Sequence, residues 1–154
     1  MGMDWFAIGW AGFVATTLAA AFFWLLRSLG WTRFSPSVQL GCLFFRDHRS
    51  PLTETVGFLL LLTLGSTLVP AIYSTLLAQL GGATAPRGFA VGFAHGLVAA
   101  ALLAPVAAVS PCVRAGDFPA PGRFGLAWGR VTPGGLVLGH ALYGAAVAAI
   151  LEAF

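Results

Sequence analysis

The stretch Gly135–Phe154, "GLVLGHALYGAAVAAILEAF", carries one acidic side chain, Glu152, and no basic one. At about 1.5 Å per residue it reaches about 30 Å as a helix, the thickness of a bilayer's hydrocarbon layer. It reads as a membrane-crossing helix. It also holds a histidine, His140, with Tyr143 one turn later, and so raises the question of what an imidazole does among apolar residues.

The rest of the chain repeats the pattern. Apolar runs predict spans at about Trp5–Leu29, Glu54–Leu80, Phe89–Val109 and Pro133–Ala153. Pro70 should bend the second span, and Pro105 lies near the end of the third. The 154 residues are 58% hydrophobic and 8% charged, and mean hydropathy is +0.89. Soluble domains carry about 25% charged residues, so the medium implied is lipid. The expected fold is all-α: one integral-membrane four-helix bundle spanning 1–154. The N-terminus has no positively charged leader, and Phe6 breaks the myristoylation pattern that Gly2 would begin, so the first helix is expected to be retained.

All eight basic residues are arginines. Arg27, Arg33, Arg46 and Arg49 lie at the first connection and Arg114, Arg123 and Arg130 in the third, against Arg87 alone in the second. The positive-inside rule places the first and third connections in the cytoplasm. Both termini and the turn "GGATAPRG" (81–88) would then be periplasmic, in a bacterial inner membrane. The net charge of +3 is small, and no basic patch interleaves with stacking aromatics, which excludes nucleic acid as a partner. Cys42 and Cys112 have neither CxxC nor zinc-ligand spacing and read as two unpaired loop thiols.

Small residues recur four apart. The third span carries Gly88, Gly92, Gly96, Ala100 and Ala104; the fourth carries Gly135 and Gly139, then Ala141, Ala145, Ala149 and Ala153, with Gly144 nearby; the first carries Gly12, Thr16 and Ala20. Such GxxxG-type stripes lie on one helix face and let backbones approach in lipid. They predict a tight bundle without a roomy cavity, with faces left over for another subunit or a second copy. In the first connection, "SPSVQLGCLFF" (35–45) offers Ser35 as N-cap and Pro36 at the first helical position, predicting a short interfacial or re-entrant helix. The long third connection reads as an ordered cap, its Phe118, Phe124 and Trp128 set among Arg123 and Arg130.

The block "GRFGLAWGRVTPGGLVLGHALYG" (122–144) has the pattern FG…G…TP…GH..YG. It resembles the C-terminal half of a family of small uncharacterised four-helix bacterial membrane proteins, and "LGCLFF" (40–45) and "GFAHGLVAAALLAP" (92–105) are similar to that family's other short blocks. The resemblance implies an integral membrane protein and no particular chemistry. Members often carry further histidines, in the second helix and before the proline after the third. Here the second helix has none and Ser110 precedes Pro111, so a metal site built on those histidines would be lost.

Two histidines, His95 and His140, fall inside spans. Counting each inward from its own end of the third and fourth spans leaves about 12 Å between them along the membrane normal. One haem iron held by both is excluded on that count. A single histidine ligating haem or a chlorophyll-type pigment is the alternative: Gly92 and Gly96 flank His95, and Gly139 and Gly144 flank His140. The plainer expectation is no cofactor, with neutral imidazoles bonded to helix carbonyls. A polar path would run through Glu54, His140 and Tyr143. Asp47, His48 and Ser50 are too close in sequence to assemble a triad, and no HExxH or GxSxG occurs. The expected role is therefore non-catalytic: an accessory or scaffold subunit packed against a larger membrane complex, respiratory or photosynthetic. A small transporter or channel is the alternative.

Overall fold

The structure is a computed structural model and describes residues 4–154; Gly2, where the acylation pattern would begin, lies outside them. The described residues form helices and no strand. The spans are α1 (Trp5–Ser28), α3 (Pro51–Ser66) running on into α4 (Leu68–Gln79), α5 (Ala85–Val109) and α7 (Thr132–Glu152). All four are long and apolar enough to cross a membrane, and the chain is a multi-pass membrane protein. Two short helices, α2 (Pro36–Gly41) and α6 (Pro111–Arg114), and a 3₁₀ segment (Arg123–Trp128) gather at one end of the bundle as a cap.

Helix ends follow local chemistry. The Asp4 side chain accepts hydrogen bonds from the N–H groups of Phe6 and Ala7, starting α1. Ser35 caps α2 and Pro36 opens it. The second span breaks at Thr67 (φ −124°, ψ −78°) rather than bending at Pro70. Proline clashes with the carbonyl four residues earlier, here that of Ser66, the last residue of α3. Pro105 leaves α5 unbroken.

Backbones meet where side chains are missing. A Cβ on Gly88 would collide with the Gly144 carbonyl, one on Gly92 with the His140 carbonyl, and one on Gly96 with the Val137 backbone. These three contacts set the antiparallel register of α5 on α7. Gly12 meets the Gly65 backbone between α1 and α3, while Gly135 and Gly139 meet Leu26 and Phe23 of α1. At the cap, Gly57 and Gly41 let α2 lie directly on α3.

The apolar interior is two clusters rather than one. The cap-end cluster holds Phe23, Phe34, Leu103, Trp128 and Leu136; the other, nearer the termini, holds Ala11, Ala15, Tyr73, Leu77, Tyr143 and Val147. The expectation of a bundle without a cavity fails here. A space of about 280 Å³ opens alongside both clusters, lined by residues of α1, α2, α3, α4, α5 and α7. Small residues bring backbones together along their own seams, and the rings beside those seams hold the remaining helix faces apart.

The expectation of two free thiols also fails. Cys42 and Cys112 form a disulfide across 70 residues of sequence, with Cα atoms 5.3 Å apart and neither cysteine exposed. Spacing did not reveal it, because α2 and α6 are brought together only when the first and third connections fold over the same bundle end. Ser110 Oγ donates to the Cys42 carbonyl (2.8 Å), the Arg33 N–H donates to the Trp128 carbonyl (2.7 Å), and the Thr32 and Thr132 hydroxyls share a hydrogen bond (2.6 Å).

Two outcomes test this packing. Gly92→Ala should destabilise the protein in detergent by about 1–3 kcal/mol through overpacking, whereas Gly134→Ala, where an added Cβ meets nothing within 4 Å, should change the unfolding midpoint little. Cys42→Ser should cost about 2–4 kcal/mol and abolish the mobility shift of the wild type between reducing and non-reducing gels.

Candidate functional site: an intramembrane pocket

His95 and His140 lie side by side. Their ring centroids are 4.5 Å apart with planes at 68°, which corrects the separation of about 12 Å that depth counting gives. The error is one of boundaries. α5 begins at Ala85, four residues before the expected start, placing His95 about 15 Å from that end at 1.5 Å per residue. From the same end of the bundle, His140 lies twelve residues from Glu152 along α7, or about 18 Å. The Gly92–His140 backbone contact then locks the two helices at this register.

Each ring is anchored through Nδ1. His140 Nδ1 lies 2.7 Å from the Leu136 carbonyl oxygen. A carbonyl only accepts, so His140 Nδ1 carries the proton and its Nε2 presents a lone pair. His95 Nδ1 lies 2.9 Å from the Tyr73 hydroxyl. Tyr73 has no other hydrogen-bond partner among the described residues, and a buried phenol needs an acceptor. Tyr73 therefore donates to Nδ1, which leaves Nε2–H of His95 as a donor. Tyr143 donates to the Gly65 carbonyl (2.8 Å) and stands edge-on to Tyr73, centroids 5.4 Å apart.

Both imidazoles and Tyr143 line the pocket, together with Thr16 and Gln39. Gln39 is 8% exposed, and neither its Oε1 nor its Nε2 has a hydrogen-bond partner. An unpaired amide buried among apolar groups costs about 1–3 kcal/mol. The walls between are apolar: Phe23, Leu61, Leu64, Leu103 and Leu136. The pocket thus has a polar floor at the histidines and a polar roof at Gln39. On α3, Gly57 lies under α2 and Gly65 beside Tyr143, so roof and floor sit at different heights of the bundle.

The pair does not fit the axial ligation of one haem. Two imidazoles on opposite sides of an iron, each nitrogen about 2 Å away, have centroids about 6 Å apart. Here they are in edge contact at 4.5 Å. No carboxylate or thiol lines the pocket to complete a metal's ligand set. Glu54 lies exposed at the cap end of α3 and takes no part in the pocket, so the three residues of the expected polar path are not brought together. Of the small residues singled out in the sequence, Thr16, Ala20 and Gly139 line the pocket; Gly88, Gly92, Gly96, Ala100, Gly135 and Gly144 are buried. Sequence reading missed Gln39 and Tyr73, and took Thr16 only as a small residue of the first-span stripe. Gln39 carried a signal, a polar residue inside the apolar run "SPSVQLGCLFF".

A second polar cluster sits on the cap. The backbone N–H and ring Nδ1 of His48 both reach Asp117 Oδ2 at 2.6 Å, and Asp47 lies close by. The Arg49 N–H bonds Asp47 (2.8 Å), so this is an exposed turn tied to the third connection. The His48 backbone N–H, then its ring, hold the Asp117 carboxyl below the ordinary carboxylate range.

Compared with protein-family models, with curated proteins and with solved structures, the chain has no match. The family resemblance read from its motifs rests on those motifs alone.

A carboxyl whose folded pKa is depressed stabilises the fold above its unfolded pKa and loses that contribution as pH falls through the folded value. Acid unfolding of the wild type should therefore show a carboxylate dependence below about pH 4. Asp117→Asn should flatten it, which thermal unfolding at stepped pH will read.

Proposed function

We propose that the protein is a membrane-embedded binding protein whose pocket holds a small, largely apolar molecule with a hydrogen-bonding head. The observation that carries this reading is Gln39, buried at the pocket roof with both amide atoms unpaired. The imidazole pair at the floor, each ring oriented through Nδ1, supports it. Ligand pockets between helices combine apolar walls with a few oriented polar groups in this way. The absence of carboxylate, thiol and lysine from the pocket lining favours binding over catalysis.

The accessory-subunit reading drew its motive from small-residue seams left over for a partner. Gly88, Gly92, Gly96 and Gly144 meet across α5 and α7, and Gly12 and Gly65 across α1 and α3. That motive is largely used up inside the chain, and binding is the stronger reading. The transporter reading lacks a continuation of polar groups from His140 to Glu54.

Helical spans of this length suit a bacterial inner membrane, and we assign the protein there. The buried disulfide supports a cap on the oxidising, periplasmic side. This reverses the orientation that arginine counting favours. Persistence of a covalent bond depends on its compartment, whereas arginine bias acts on insertion and yields in some proteins. A C-terminal green fluorescent protein fusion should accordingly fluoresce. An active C-terminal alkaline phosphatase fusion would return the cap to the cytoplasm.

The binding reading is tested by extracting the protein with its lipid annulus and analysing co-purified small molecules by mass spectrometry. One compound class should be recovered near one per chain. Ala99→Phe, which fills the pocket from α5, should lose it. Recovery of bulk lipid only, unchanged by Ala99→Phe, would overturn the reading.

A further inference from the structure

The pocket floor specifies the chemistry of the head that docks on it. We propose that this head is a hydroxyl group, held between His95 and His140 on a phenol or an apolar alcohol. The inference rests on the binding reading above and refines it.

The two rings present opposite hydrogen-bonding characters. His140 Nε2 is an acceptor because Nδ1–H is committed to the Leu136 carbonyl. His95 Nε2–H is a donor because Nδ1 accepts from Tyr73. No hydrogen bond joins the two rings, although their centroids are 4.5 Å apart. A ligand group that satisfies both nitrogens must accept from one and donate to the other. A carbonyl or ether oxygen accepts from His95 but leaves the His140 lone pair bare. A carboxylate fails the same test and brings an unpaired charge into lipid. An ammonium only donates. A hydroxyl does both from a single atom, on the side where both rings line the pocket.

The remainder of the ligand is constrained by the walls. Phe23, Leu61, Leu64, Leu103 and Leu136 give it apolar contact, and beyond the imidazoles and Tyr143 the polar side chains of the lining are Thr16 and Gln39. The ligand class is therefore a hydroxyl-headed apolar molecule filling a space of about 280 Å³. Two sources share that chemistry: a hydroquinone-type phenol, and an isoprenoid alcohol.

The test uses the full chain in lipid nanodiscs and two matched probe pairs: tetramethylhydroquinone with its dimethyl ether, and geraniol with its methyl ether. Titration calorimetry reads affinity, and ¹⁵N-histidine NMR reads the Nε2 of each ring. At least one hydroxyl probe should bind about tenfold or more tightly than its ether. Its binding should shift the His140 Nε2 resonance as that lone pair accepts a hydrogen bond. The pair showing discrimination identifies the source. His140→Leu should reduce the preference to about onefold while ether binding persists, which shows that the variant retains its pocket. Ether and alcohol binding equally would overturn the hydroxyl assignment and leave the pocket reading intact. Preference surviving in His140→Leu would also overturn the assignment. Binding of none of the four probes would contradict both readings, leaving a pocket filled by water.

Discussion

Helix association in lipid lacks the hydrophobic drive that operates in water, because the acyl chains are as apolar as the side chains. Close backbone approach takes its place, and in this protein it is concentrated between α5 and α7. Gly88, Gly92 and Gly96 each admit a piece of the opposing backbone where any side chain would collide. The register that results is narrow. A shift of one turn would move His140 about 5 Å along the axis and part it from His95. The chemistry of the pocket floor is therefore set by three residues that have no side chain.

The pocket follows from the same constraint. Where glycine seams draw α5 onto α7 and α1 onto α3, the faces that carry rings and branched chains are left looking at one another across a gap. Phe23, Leu103 and Leu136 wall it, Tyr73 and the Leu136 carbonyl turn the imidazoles, and α2 closes it from above with Gln39. The roof is itself secured. The Cys42–Cys112 bond ties α2 to α6, the Thr32–Thr132 hydrogen bond joins the first connection to the start of α7, and the Arg33–Trp128 hydrogen bond joins it to the 3₁₀ segment of the third connection. Gly129, at φ 140°, allows the third connection to pass against the Trp31 carbonyl, where a side chain would be both strained and obstructed.

The sequence made the architecture readable because hydropathy is a property of each segment alone. Four spans, the short helix opened by Ser35 and Pro36, and the stripes of small residues all follow from local composition. What escaped reading depends on relations between segments. The pairing of Cys42 with Cys112 spans 70 residues and two connections. The nearness of His95 and His140 required knowing where α5 begins: the helix starts at Ala85, with Pro86 in its first turn, inside "GGATAPRG" and four residues ahead of the apolar run. The break at Thr67 was displaced from Pro70 because the clash falls on the carbonyl four residues earlier, not on the proline itself. Of the candidate site, His140, Tyr143 and His95 were legible as polar residues in apolar helices. Gln39 and Tyr73 gain their meaning only from what faces them.

The central claim is that glycine contacts between α5 and α7 bring two imidazoles to one height above a pocket. Solid-state NMR of the histidine-labelled protein in lipid tests this most directly, through dipolar contacts between the His95 and His140 rings. Centroids 4.5 Å apart predict strong inter-ring cross-peaks, lost in a variant lacking either histidine. Their absence in well-ordered wild-type protein, with the rings about 12 Å apart as simple depth counting gives, would contradict the account.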